Sequence, residues 1–327
     1  MKFRRICLML AVFLLLSACG VQHTEEDEAL IRVGFSQVGS ESDWRIANTA
    51  SMVAALSEAN GFELLFDNAK QRQENQLLAI RNFIQQDVDC IVLAPITESG
   101  WDDVLQEAKN AGIPVLIVDR QIAVADESLY TSWVGSDFMA EGQRAVRWLE
   151  ETLRAQGREE APLRILHIQG TYGATAQLLR TQALLDAVET HPNWEIVAQL
   201  PGEYTEAKSY ELMRDFLQTG QEIDVIYSEN DNMSFGAVRA LEEAGIPCGG
   251  EGEIMVLSFD AVRRALELCR DGKISLCVEC NPLHGPRVAA LLQQLENGST
   301  PAKQTFVDEL VFDREMLTDD VIREREY

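Results

Sequence analysis

The residues of this chain that could do chemistry stand at the ends of short apolar runs. Ser36 and Gln37 end LIRVGFSQ, and Asp119 with Arg120 ends IPVLIVDR. Thr171 follows LRILHIQG, and Asn230 with Asp231 follows IDVIYSE. Asp260 ends EIMVLSFD, and Glu279 with Asn281 lies in ISLCVECN. These are carboxylates, guanidinium, amides and hydroxyls, which together can grip a polar solute by hydrogen bonds. They do not assemble into a catalytic set. GxSxG, HExxH, P-loop and early GxGxxG patterns are absent from the sequence. Of the four histidines, His23 lies in an acidic leader, His191 precedes a proline and His167 sits inside a strand-like run. His284 alone falls near an expected hinge, with no nucleophile in sequence reach.

The cysteines offer a second chemistry. Cys277-Val-Glu-Cys280 has metal-like spacing, but it lies in a strand-like run where residues three apart point to opposite faces. No second pair completes a four-ligand site, so no metal and no cofactor is expected. Cys90 reads as a buried thiol in DCIVLAP. Cys248, Cys269, Cys277 and Cys280 are left as free thiols or as partners in a disulfide.

The elements that must position these groups alternate. Strand-like runs at 30–37, 62–69, 89–95 and 113–120 are separated by amphipathic stretches at 44–60, 74–86 and 101–112. Gly61 and Gly112 stand where helix C-caps belong. After 130–137 the pattern begins again, with strands at 163–170, 194–202, 223–230, 253–260, 274–281 and 305–312 and helices between them. The strands lack strict apolar–polar alternation, as parallel strands covered on both faces do. The fold class is therefore α/β, with two doubly wound parallel-sheet domains. Ligands of such sheets bind beyond the carboxyl ends of the strands, where the polar residues above are found.

The N-terminus reads as a targeting segment. Lys2, Arg4 and Arg5 precede an apolar run over Ile6–Leu16, and Leu16-Ser-Ala-Cys19 has the form of a lipoprotein cleavage box. Residues 1–18 are expected to leave as a signal peptide, with Cys19 lipidated and 19–29 forming a polar tether. The mature chain of about 309 residues exceeds what one core usually supports. The formal charge is −25, and −28 without the signal's three cations. That balance argues against nucleic-acid partners.

VGFSQVGSESDWR (33–45), NAKQRQENQLLAIRNFIQQDVDCIVLAP (68–95), VLQEAKNAGIPVLIVDR (104–120), GTYGATAQLLR (170–180), YSENDNM (227–233) and SFD (258–260) carry a specific likeness. The chain resembles the type I periplasmic sugar-binding proteins of ABC importers, the ribose/galactose-binding group. Within that group it is similar to bacterial galactofuranose-binding proteins. The resemblance spans about 31–312 and implies a fold of two domains joined by three crossovers, closing on one sugar. The crossovers are expected near 131–136, 258–261 and 279–281. That would assign 30–133 plus about 260–279 to the first domain, and 134–259 plus about 280–327 to the second.

The resemblance also implies site roles. Asp119 and Arg120 would grip vicinal hydroxyls, with Arg45 and Arg180 facing the cleft. Asn230 and Asp260 would bind from the second domain, where both residue types also cap helices well. Trp44 and Tyr204 would cover the apolar face of the sugar. Ser36, Gln37, Glu41, Thr171 and Glu279 complete the expected ring. Three departures from the pattern, Asp43 in SESDW, Glu206 after Tyr204 and Cys280 beside Glu279 in the third expected crossover, bear on which sugar is bound. The implied function is capture of a monosaccharide, galactofuranose or a relative, by a lipid-anchored monomer for an ABC permease, outside the cytoplasm and without catalysis. The alternative is a sensor that presents a sugar or autoinducer-like ligand to a membrane receptor.

Overall fold

A computed structural model describes residues 29–250 and 253–327. The expected signal peptide, Cys19 and most of the tether lie outside the described residues. The first sheet contains β1 (Ile31–Gln37), β2 (Phe62–Asn68), β3 (Cys90–Leu93), β4 (Val115–Val118), β5 (Ser132–Gly135) and β11 (Gln304–Phe306). Their order is β11-β5-β4-β3-β1-β2, all parallel. The second contains β6 (Leu163–Gln169), β7 (Trp194–Pro201), β8 (Val225–Ser228), β9 (Met255–Asp260), β10 (Leu276–Glu279) and β12 (Val311–Asp313). Their order is β12-β10-β9-β8-β6-β7, with β12 antiparallel on the edge.

The helices are α1 (Asp43–Ala55), α2 (Gln73–Gln85), α3 (Asp102–Asn110), α4 (Phe138–Ala155), α5 (Thr175–Thr190), α6 (Glu206–Gln218), α7 (Asp231–Glu243), α8 (Arg263–Arg270), α9 (Gly285–Glu296) and α10 (Asp319–Glu324). They cover both faces of each sheet, which is why the inner strands β3, β4, β8, β9 and β10 are buried at every position. Val33, Phe35, Cys90, Val92, Leu116 and Val118 pack on one face of the first sheet, and Ile91, Leu93, Val115 and Ile117 on the other. The second sheet divides likewise. Leu166, Ile168, Ile226 and Val256 share one core, and Ile165, Val225, Tyr227 and Leu257 the opposite one.

The sheets divide the chain differently from the expectation at its C-terminal end. β10 pairs in parallel with β9 through the short α8 connection, so 260–279 belongs to the second sheet rather than the first. A hinge inside that βαβ unit would break four consecutive residue pairs. The chain instead leaves the second sheet at 280–284. It then adds α9 against α1, adds β11 beside β5, and returns at 307–310. The stretch expected to be one strand at 305–312 is therefore two short ones in different sheets. The crossovers lie at 136–137, 280–284 and 307–310, not at 258–261. Gly285 makes the α9–α1 contact possible, because a Cβ there would lie 2.1 Å from the Ser51 carbonyl oxygen.

Candidate ligand-binding site

Both sheets present their strand carboxyl ends to one narrow cavity between them. Glu41, Ser42, Trp44, Arg45, Asp119 and Arg120 line it from one side, and Phe138, Ala176, Arg180, Tyr204, Asn230, Asp260 and Cys280 from the other. The mouth is shut by direct bonds between the domains. The Asp43 amide donates to Asn232 Oδ1 at 3.0 Å, the Gln121 amide to Thr175 Oγ1 at 2.9 Å, and the Glu98 amide to the Gly173 carbonyl at 2.9 Å.

Local backbone geometry aims the charged groups. Ser42 caps α1 by accepting from the Arg45 amide at 3.1 Å, which sets Arg45 in the first turn, facing inward. Its guanidinium donates to Asp119 at 2.7 Å, Glu41 at 3.1 Å and Gln37 at 3.2 Å. Asp119 follows β4 with a φ of 66°, a left-handed conformation that Asp tolerates better than most residues. That turn sends Arg120 into the cavity. There Arg120 donates to the Ile96 carbonyl at 2.8 Å and lies over the Tyr204 ring at 5.2 Å, bridging the domains by a cation–π contact. On the second side, Arg180 donates to Glu141 at 2.7 Å and to the Glu229 carbonyl. It also lies 3.8 Å from Asp260.

The charges tune one another. Burial opposes ionisation of Asp119, but Arg45 and then Arg120 overcome it and hold this carboxyl below its usual range. Burial pushes the Asp260 carboxyl well up, against the pull of Arg180 and with the help of Asp231 and Asp119. Asp119 is thus a pure acceptor, whereas a protonated Asp260 can both donate and accept. Two polar atoms among the lining residues, Glu41 Oε2 and the Tyr204 hydroxyl, are buried without a partner among the described residues. Buried polar groups are rarely left so, and a hydroxylated solute would satisfy them. Trp44 donates from Nε1 to the Cys280 carbonyl at 2.7 Å, which fixes its ring in the cavity wall.

Nine of the expected ligand residues, Glu41, Trp44, Arg45, Asp119, Arg120, Arg180, Tyr204, Asn230 and Asp260, line this cavity. Asn230 also caps α7, accepting from the Met233 amide at 2.9 Å. Four do not line it. Ser36 is buried and is not part of the lining. Gln37 holds Arg45 and donates to Asn48 at 2.9 Å, so it acts behind the site. Thr171 sits half-buried in the loop before α5. Its neighbour Gly170 is the residue the site needs, because a Cβ there would lie 1.9 Å from the Tyr204 ring. Glu279 turns to the C-terminal tail, accepting from the Leu310 amide at 2.8 Å and the Tyr327 hydroxyl at 2.7 Å and pairing with Arg325. Ser42, Phe138, Ala176 and Cys280 line the cavity without having been expected. Ala176 and Phe138 look like ordinary helix residues, and no spacing singled them out.

None of the described histidines lines the cavity. His167 is paired with Glu229 at 2.9 Å, His191 stacks on Trp194, and His284 is buried beside Trp44. All five described cysteines are free thiols. Cys277 and Cys280 face different surroundings, Cys277 in the core under α8 and Cys280 at the cavity wall. The cavity can hold a polyhydroxylated solute and offers no base–nucleophile pair to transform it.

The periplasmic binding protein domain model matches residues 33–298. The galactofuranose-binding protein of Escherichia coli K12 is 36% identical over 288 residues, covering 87% of this chain and 88% of that protein. A periplasmic binding component of an arabinose ABC transporter from Shewanella sp. ANA-3, solved with α- and β-L-arabinofuranose, is 39% identical with a TM-score of 0.83, over 90% of this chain and 95% of its own. A protein from Mycobacterium smegmatis solved in complex with β-D-fucofuranose is 38% identical with a TM-score of 0.83, over 88% of this chain and 92% of its own. These are solute-binding proteins rather than enzymes. By this match and this architecture, the chain belongs to the periplasmic binding protein domain family.

Proposed function

We propose that this protein is the capture component of an ABC sugar importer, and that its ligand is a monosaccharide in furanose form, galactofuranose or a close relative. The observation that carries the reading is the ring of buried arginines and carboxylates that both sheets direct at one cavity, with two buried polar atoms of its lining left unpartnered. Arg45, Arg120 and Arg180 supply forked donors for vicinal hydroxyls, and Asp119 and Asp260 supply acceptors. Trp44 and Tyr204 supply flat apolar cover. Relatives whose own descriptions name furanoses share more than a third of their residues with this chain.

The protein works outside the cytoplasm, as its family does, and is held to the membrane by lipid on Cys19. Leu16-Ser-Ala-Cys19 supports that anchor, since diacylglycerol on one thiol supplies the two acyl chains that stable membrane attachment needs. Calorimetric titration with D-galactose, followed by carbon NMR of the bound ¹³C-labelled sugar, tests the ligand. Furanose signals on the protein are expected. A bound pyranose, or no heat with galactose, arabinose or fucose, would defeat the reading. Intact mass of the protein from its own membranes tests the anchor. An N-terminus other than an acylated Cys19 would remove it.

A further inference from the structure

Beside the cavity, the three chain crossovers meet around three buried side chains, of which Cys280 also reaches the cavity wall and Glu141 also holds Arg180. Glu141 on α4, Cys280 on the second crossover and Glu309 on the third each present one donor atom, and the three atoms lie within 4.8 Å of one another. One oxygen of each carboxylate is taken. Glu141 Oε2 accepts from Arg180 at 2.7 Å. Glu309 Oε1 accepts from the Ser136 hydroxyl and from the Asn281 amide at 2.8 Å. The other two oxygens, Glu141 Oε1 and Glu309 Oε2, are buried without a hydrogen-bond partner among the described residues. Glu141 is fully buried, and the Glu309 side chain is 1% exposed. Unpaired carboxyl oxygens in such a place are costly, and a cation held by the same two carboxyls lowers that cost.

We propose that Glu141, Cys280 and Glu309 form a binding site for a divalent transition-metal ion of the zinc type, which fastens the three crossovers to one another. The donor set selects the class. Calcium and magnesium take oxygen ligands, whereas zinc takes cysteine sulfur together with carboxylate oxygen in a tetrahedral shell. Three protein ligands leave a fourth position. The Ser136 hydroxyl, 3.3 Å from Cys280 Sγ, stands beside it, and water can also fill it. On binding, the ion replaces the thiol proton of Cys280 and the protons that burial favours on the Glu309 and Glu141 carboxyls, all of which pass to solvent. A dication with two carboxylates and one thiolate carries one net negative charge, and Arg180 on the outer oxygen of Glu141 balances it. Arg144 opposes the ion, with Nη1 4.0 Å from Glu309 Oε2. It is beyond hydrogen-bond length, and this nitrogen is itself buried without a partner among the described residues, so a bound ion has to displace it. Cys277 takes no part, so this site is not the CxxC pair but three residues far apart in the chain.

The test uses purified protein stripped with a chelator and reloaded with one equivalent of zinc. X-ray absorption is expected to show one sulfur at about 2.3 Å and oxygen ligands at about 2.0–2.2 Å. Cobalt(II) in place of zinc is expected to give a near-ultraviolet thiolate charge-transfer band, absent in Cys280→Ser and weakened in Glu309→Gln. A shell without sulfur or with more than one sulfur, or a band that survives in Cys280→Ser, overturns the proposal. So does loss of the ion on gel filtration. If Cys280→Ser does not fold, the absorption spectrum of the unmodified protein decides alone.

Discussion

Arg120 is held at its base by the left-handed turn at Asp119, and its head lies against Ile96 and Tyr204. Arg120→Ala is expected to cost about 3 kcal/mol of binding, because charge-assisted bonds are lost and their partners are stranded. That is roughly a hundredfold rise in dissociation constant. Unfolding of the sugar-free protein should change little, because in an opened cleft the guanidinium is solvated. Calorimetric titration and apo melting on the same variant check both. An affinity change below about threefold would take Arg120 out of the site.

His284 makes a separate prediction. It is fully buried beside Trp44 and Asn48, and burial pushes its imidazole down to about 4, with Arg287 and Arg45 adding to this and Asp119 opposing. The unfolded chain therefore takes up this proton first as pH falls. The stability His284 contributes is whole above about pH 6.5 and is lost between there and about pH 4, some 3 kcal/mol in all. Urea unfolding at pH 7, 5 and 4 should show a steeper fall for the native chain than for His284→Gln. Parallel slopes would refute the assignment.

At the scale of elements, the informative contact is α9 on α1. Gly285 opens α9, and backbone rather than a flexible side chain faces its missing Cβ. Gly285→Ala is expected to destabilise the protein by about 1–3 kcal/mol, the usual cost of overpacking, read as a lower urea midpoint. An unchanged midpoint would mean that the two helices do not pack this closely. The helices and strands themselves were largely legible, because their periodicity is local. Ser42 before the first helix and Asn230 before α7 act as the caps their residue types suggest. The 305–312 stretch was misread as one strand, since nothing in its apolar pattern says that Glu309 turns back between two sheets.

For the molecule as a whole, the direct bonds across the mouth, Asp43 to Asn232 and Gln121 to Thr175, join parts that only the three crossovers connect covalently. A molecule so connected is expected to open and close by hinge motion. Saturating sugar is expected to lower the radius of gyration in solution scattering. Equal radii with and without sugar would show that closure is not coupled to ligand.

The sequence by itself determined the two αβ layers and the polar strand ends. With the family resemblance it also pointed to Asp119, Arg120, Arg45, Arg180, Asn230 and Asp260, all of which line one cavity. Strand and helix periods, strand-end position and the motifs all act over a few residues, so they can be read along the chain. Only the tertiary structure decided which sheet owns 260–279 and 304–313, because strand pairing is a competition between edges distant in sequence. It also decided that Gln37 and Glu279 serve as supports, since a carboxylate or amide bonds to whatever the fold brings near. Cys280 reaches both the cavity wall and Glu141 with Glu309 for the same reason. Residues 139 and 29 positions away meet it at the point where the chain crosses between domains, a meeting that no local spacing encodes.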